Sequence, residues 1–137
     1  DGSQKMSKSR GNAIFLCSTE DETASLIKKA KTDSERVITY DPENRPEVAN
    51  LLMLISLCTK EEPAAIAERI GEKGSGELKK VLAEALNEEL RPLRQKRAEL
   101  EKNPDYIRKV LLDGVEKARA IAIKTLDEVR EAMNMKI

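Results

Sequence analysis

Lys5-Met6-Ser7-Lys8-Ser9 places two lysines three residues apart, with one serine between them and a second directly after. Two ammonium groups and two hydroxyls at this spacing can converge on the oxygens of a polyphosphate. Lysine suits that task because it carries a compact charge on a long flexible stem and can follow a moving phosphate. Positive charge aimed at a departing pyrophosphate lowers the barrier to its release. Gly2 and Gly11 bound the segment and would let it open and close as a gate. Taken only as two lysines in a loop, the same residues read as a solvated basic surface.

Other chemistries are closed off by composition. The chain of 137 residues contains no histidine, so imidazole acid–base catalysis and His-ligated metal are excluded. Cys17 and Cys58 lie far apart in sequence, lack partners for a zinc site, and are read as small buried apolar groups, not a disulfide. Lys and Arg total 25, as do Asp and Glu, so a nucleic-acid site must come from local segregation of charge. Arg91, Arg94, Lys96, Arg97 and Lys102 provide one such cluster, interrupted by Glu99 and Glu101. They fit a set of backbone-phosphate contacts. They equally fit a solvated helix face with charge pairs at i,i+4 spacing. Lys28, Lys29 and Lys31 form a second basic stretch with the same two readings. Aromatics are only 2% of the chain, so no platform for base stacking is available, and Tyr106 is expected to be packed. No apolar run approaches the roughly 20 residues that span a bilayer, and no secretory signal is visible, which predicts a cytoplasmic protein. The opening Asp1-Gly2-Ser3-Gln4, with no Met, reads as a cut inside a longer chain.

The elements that must carry the lysine loop follow from periodicity and punctuation. Residues 1–12 read as a loop, and Ala13–Cys17 as a short strand-like segment. Thr19 and Glu22 have capping-box spacing and predict a helix over about 20–31. Residues 32–45 read as a long connection, extended at 37–40. Pro46 opens a second helix in which Val48, Leu51, Leu52 and Ile55 recur with helical period, marking the central core. Thr59 and Glu62 repeat the capping-box spacing before a short helix over about 61–70. Gly74-Ser75-Gly76 predicts a turn, then a long helix over about 77–102 kinked at Pro92, with an apolar stripe from Leu78 to Leu93. Asn103-Pro104 starts a last helix to about 133, with a break expected at Gly114 and a new cap at Asp113.

The five-residue string, continued through Arg10-Gly11-Asn12-Ala13-Ile14, resembles the signature loop of class I aminoacyl-tRNA synthetases. Asp33-Ser34, Tyr40 to Pro46, Asn50-Leu51-Leu52 and the stretch from Gly114 to Ala122 followed by Thr125-Leu126 are similar to the bacterial tryptophanyl members, more than to their tyrosine relatives. The resemblance implies an all-α fold, an irregular bundle of about five helices preceded by a mobile loop. It implies that residues 1–18 are the loop and tail of a catalytic Rossmann domain lying upstream, and 19–137 a helical domain of the anticodon-binding type. Lys5 and Lys8 would be catalytic. Lys5, Met6, Ser7, Lys8 and Ser9 would form the ATP-binding loop, with Met6 anchoring it on apolar surface. Arg91, Arg94, Lys96 and Arg97 would face tRNA. The implied parent uses ATP with Mg2+, tryptophan and tRNA(Trp). It forms a homodimer and has neither DNA nor a membrane as partner. The fragment needs no cofactor to fold, and alone neither binds tryptophan nor makes the adenylate. Glu47, Ala49, Ile55 and Lys60 depart from the family pattern. They leave open a helical protein- or RNA-binding adaptor on the same scaffold.

Overall fold

The computed structural model describes residues 4–135. Five α-helices follow one another: α1 (Glu20–Lys28), α2 (Pro46–Thr59), α3 (Pro63–Ile70), α4 (Gly74–Glu101) and α5 (Pro104–Ala132), with short 3-10 turns at Lys8–Arg10 and Gly71–Lys73. No strand occurs among the described residues, and the all-α expectation holds. Ala13–Cys17 is irregular chain, not a strand. No helix among them is long and apolar enough to cross a membrane.

Local chemistry sets most boundaries. The Thr19 hydroxyl accepts from the Glu22 N–H at 3.2 Å while the Glu22 carboxylate accepts from the Thr19 N–H at 2.8 Å, the reciprocal cap that starts α1. Pro46, Pro63 and Pro104 stand in first turns, where the missing N–H has no partner to lose. The Asn103 side chain caps α5 by accepting from the Tyr106 N–H. Three expected features are absent, each for a local reason. Thr59 does not cap α3, because its hydroxyl donates back to the Ile55 carbonyl at 3.0 Å as the last residue of α2. Gly74-Ser75-Gly76 is the first turn of α4, where small residues cost little, and the change of direction is made by Gly71 and Gly74, both at positive φ. Gly114 does not break α5, which runs through it with no new cap.

The chain divides into two compact units, residues 1–94 and 95–137. The first unit holds the core. Val48, Leu51, Leu52 and Ile55 of α2 meet Ile66, Ala67 and Ile70 of α3, Leu78 and Leu82 of α4, Ile27 of α1 and Ile38 of the connection. Each fully buried Leu or Ile contributes roughly 1.5–3 kcal/mol of transfer free energy. The predicted stripe on α4 is buried at Leu78, Leu82 and Leu90, half-buried at Val81, Ala85 and Leu86, and exposed at Leu93. In the second unit, α5 has no buried residue. Tyr106 is exposed there, contrary to expectation. Cys17 is likewise exposed, and Cys58 half-buried, so neither is the buried thiol expected.

Candidate functional site

The lysine loop is built as a closed local turn. Ser7 donates its N–H to the Asn12 Oδ1 at 2.8 Å. The Arg10 N–H reaches the Ser7 carbonyl and the Gly11 N–H the Lys8 carbonyl, at 3.3 and 3.2 Å. Gly11 ends the turn in the left-handed region at φ 65°, which a residue with a Cβ would occupy only under strain. The Ser7 and Ser9 hydroxyls lie 2.9 Å apart, and Arg10 donates to the Gln4 side chain at 3.0 Å. The structure thus brings Lys5, Met6, Ser7, Lys8 and Ser9 together on one exposed turn. No ion pair among the described residues engages Lys5 or Lys8, although residues 20–47 carry eight carboxylates.

Met6 lies at the edge of a cavity of about 300 Å³ behind the loop, between Gly11, Asn12, Ile14 and the helices α1, α2 and α4. Ile14 packs against the core beside it. The loop therefore meets the helices through apolar side chains.

The long connection after α1 is held by a group that spacing alone does not reveal. Arg45 grips Asp33 with two parallel bonds, Nε to Oδ2 and Nη2 to Oδ1, both 2.7 Å. Its Nη1 also donates to the Val37 carbonyl and the Thr39 hydroxyl, each at 2.7 Å. The Arg45 guanidinium beside it holds the Asp33 carboxyl below its ordinary value, and Asp33 in turn holds Arg45 above its own. The signal in the sequence was the acid at 33 and the base at 45. Their pairing across the intervening residues had no periodicity to give it away.

Arg91, Arg94, Lys96 and Arg97 of α4 are each engaged within the chain. Arg91 pairs with Glu88 at 2.7 Å and approaches Glu20 at 3.9 Å. Arg94 donates to the Asn87 side chain and to the fully buried Thr23 hydroxyl, both at 2.9 Å, while its Nε is buried without a partner. In the second unit, Lys96 pairs with Glu99 at 2.9 Å and Arg97 with Glu101 at 2.8 Å. Glu99 holds the Lys96 ammonium above its ordinary value through that bond. Among the described residues, no three acidic or sulfur side chains converge as metal ligands.

The four departures from the family pattern do not share a face. Ala49 and Ile55 are buried in the core. Glu47 lines the cavity behind the loop. Lys60 is exposed at the end of α2, with φ 64°.

A loop of this composition, hung on an all-helical body, is the arrangement of a class I aminoacyl-tRNA synthetase. Residues 1–91 match the family described as class I tRNA synthetases (W and Y), and the chain belongs to it. On the tryptophan side of that family, the chain is 42% identical over 122 residues to tryptophan–tRNA ligase 1 of Streptomyces coelicolor, covering 89% of this chain and 36% of that protein. It is 40% identical to the tryptophan–tRNA ligase of Aquifex aeolicus, over 96% of this chain and 34% of that protein. A crystal structure of tryptophanyl-tRNA synthetase from Campylobacter jejuni complexed with ADP and tryptophan superposes with a TM-score of 0.75 at 30% identity, over 95% of this chain and 41% of that one. The chain therefore spans about two fifths or less of the length of these relatives.

Proposed function

We propose that this chain is the loop-and-helical portion of an ATP-dependent tryptophan–tRNA ligase. In the first reaction, the tryptophan carboxylate attacks the α-phosphorus of ATP and pyrophosphate leaves. Lys5 and Lys8 supply positive charge to the phosphates as negative charge builds on the leaving group. Ser7 and Ser9 add hydrogen bonds, and Met6 seats the loop on the helical body. Mg2+ bound with ATP would share the neutralisation of phosphate charge. The observation that carries this reading is the signature turn itself, with both lysines exposed and paired to no carboxylate among the described residues. A lysine already paired to a neighbouring acid would have to break that pair before gripping phosphate.

Residues 1–18 belong, in this reading, with a nucleotide-binding domain, and 19–137 form the tRNA-facing domain. Arg91, Arg94, Lys96 and Arg97 are the proposed contacts on α4. The intramolecular partners of Arg91, Lys96 and Arg97 are exposed carboxylates, whose pairs contribute little and exchange readily for phosphate. Arg94 differs, because its bond to Thr23 ties α4 to α1 while its bond to Asn87 fixes it along α4. The parent is a cytoplasmic homodimer that binds tRNA(Trp) and takes tryptophan in the portion not represented here. The isolated chain is inactive in adenylation. Tryptophan-dependent exchange of pyrophosphate into ATP is the test: the isolated chain should show none, and turnover by it would overturn the assignment. The scattered positions of Glu47, Ala49, Ile55 and Lys60 give an adaptor no single altered surface to use.

A further inference from the structure

We infer that the cavity behind the signature turn is a binding site for a small amphiphilic anion, an apolar body ending in a carboxylate, and that its occupancy stiffens the turn. The inference concerns regulation of the loop proposed above to grip ATP. Its volume of about 300 Å³ lies at the lower end of the range for small-molecule sites. The inner wall is apolar, made by Leu26 and Ile27 of α1, Leu51 and Leu54 of α2, and Leu82 of α4. An alkyl or aryl body of modest size is the complementary shape.

The head-group preference follows from the polar residues that share the lining. Lys29 and Lys31 lie just past the end of α1, and no ion pair among the described residues engages either. Glu47 is the single acid there, leaving one positive charge in excess. Asn12 adds direction. Its Oδ1 already accepts from the Ser7 N–H, so the free end of that carboxamide is the NH2, which can only donate. Asn50 also lines the wall and offers an acceptor and a donor alike, so it leaves the balance unchanged. The excess of donors and positive charge favours an anion over a cation or a neutral head.

The link to the loop is also covalently short. Met6, Gly11 and Asn12 belong both to the cavity wall and to the signature turn. A ligand that packs on Met6 and accepts from Asn12 must hold the Asn12–Ser7 bond in place, and with it the turn that carries Lys8. An occupant deep enough to fill the cavity would oppose any loop movement that withdraws Met6 from its rim.

The test uses three probes with one body and different heads, octanoate, octylammonium and octanol, titrated into the 137-residue chain with methyl-labelled methionine and 15N amides. Octanoate should shift the Met6 methyl and the Asn12 side chain, leave Met53 and Met133 unmoved, and slow exchange of the Ser7 amide. It should bind roughly tenfold tighter than octylammonium, the effect of two partly screened lysines. Lys29→Glu with Lys31→Glu, two exposed positions whose change leaves the core intact, should reverse the preference. Ala30→Phe, which fills the cavity from the turn that follows α1, should abolish binding of all three probes. Equal binding of the three probes overturns the anion assignment. Binding without slowed Ser7 exchange overturns the coupling. Both readouts are independent of ATP, so their failure is distinct from failure of the ligase reading, which only adenylation measurements address.

Discussion

Removing the Asp33 carboxylate should cost more stability than removing the arginine it holds. The Arg45 side chain is 7% exposed and that of Asp33 28%, so the pair is asymmetric in its access to water. Asp33→Ala leaves a buried guanidinium with two N–H groups aimed at a gap. Hydrogen bonds to charged groups contribute about 1.5–3 kcal/mol each, and water entering on the Asp33 side recovers part, so the loss should be about 2–3 kcal/mol. Arg45→Met removes the charge, fills much of the volume, and leaves acceptors that face solvent, for a loss of about 1 kcal/mol. Glu35, at 3.5 Å and well exposed, contributes little to either value. The double variant should lie close to Arg45→Met alone. Urea midpoints at constant m, followed by circular dichroism, measure all three. The pH dependence has a definite sign. Asp33 is held below its ordinary 3.8, so the stability it contributes is fully present above that value and is lost as pH falls through the lower folded value. The gap between the parent chain and Asp33→Ala should hold steady at neutral pH and close in acid. Arg45→Met more destabilised than Asp33→Ala, or a gap that widens in acid, would refute the reasoning.

Lys60→Gly should stabilise the chain by about 0.5–1 kcal/mol, because φ 64° suits glycine, less the bond from the Lys60 ammonium to the Leu57 carbonyl; thermal denaturation measures it. Gly74→Ala should destabilise by about 1 kcal/mol or more, since φ is 79° and the added Cβ would sit 3.6 Å from the Arg36 carbonyl oxygen; the same melts report it. In a full-length enzyme carrying this segment, Lys5→Ala and Lys8→Ala should each slow adenylation about a hundredfold, read as the single-turnover rate of pyrophosphate release. Lys96→Glu with Arg97→Glu should weaken tRNA binding and flatten its dependence on salt, whereas an unchanged slope across a salt series would remove these residues from the interface.

The helices could be read in advance wherever two signals coincided. Thr19 with Glu22, and Pro46 before the Val48–Ile55 periodicity, each joined a start signal to an apolar face, and both helices begin where expected. Single signals misled. Thr59 and Glu62 have the right spacing, but Lys60 turns into the left-handed region and Pro63 supplies the start, which leaves the Thr59 hydroxyl inside the preceding helix. Gly114 sits among strong helix formers, and one unfavourable residue of about 1 kcal/mol does not stop a helix that has many turns on either side. Of the candidate site, the lysine turn was fully readable because its residues are contiguous. The Arg45 clamp and the Arg94 contact to Thr23 were not, since each joins residues far apart through orientations that only the packed helices set.

The way the signature turn is attached fits what a phosphate gate requires. Among the described residues, the hydrogen bonds made by residues 5–14 close within the loop itself: Ser7 to Asn12, Ser7 to Ser9, Arg10 to Ser7 and Gln4, and Gly11 to Lys8. Toward the helices, the loop offers chiefly Met6 and Ile14, both apolar, beside Asn12, whose side-chain oxygen is already taken by the Ser7 N–H. Hydrogen bonds are directional and would fix the turn at one angle, whereas apolar contact is not directional and tolerates sliding. A turn that is internally bonded but externally greasy can move as a unit, keeping Lys5 and Lys8 at constant spacing while their position changes. In the ligase proposed above, two charges that follow pyrophosphate as it departs would need that combination. A loop stitched to α1 by hydrogen bonds would hold its lysines still, and a loop without the Ser7–Asn12 bond would let them drift apart.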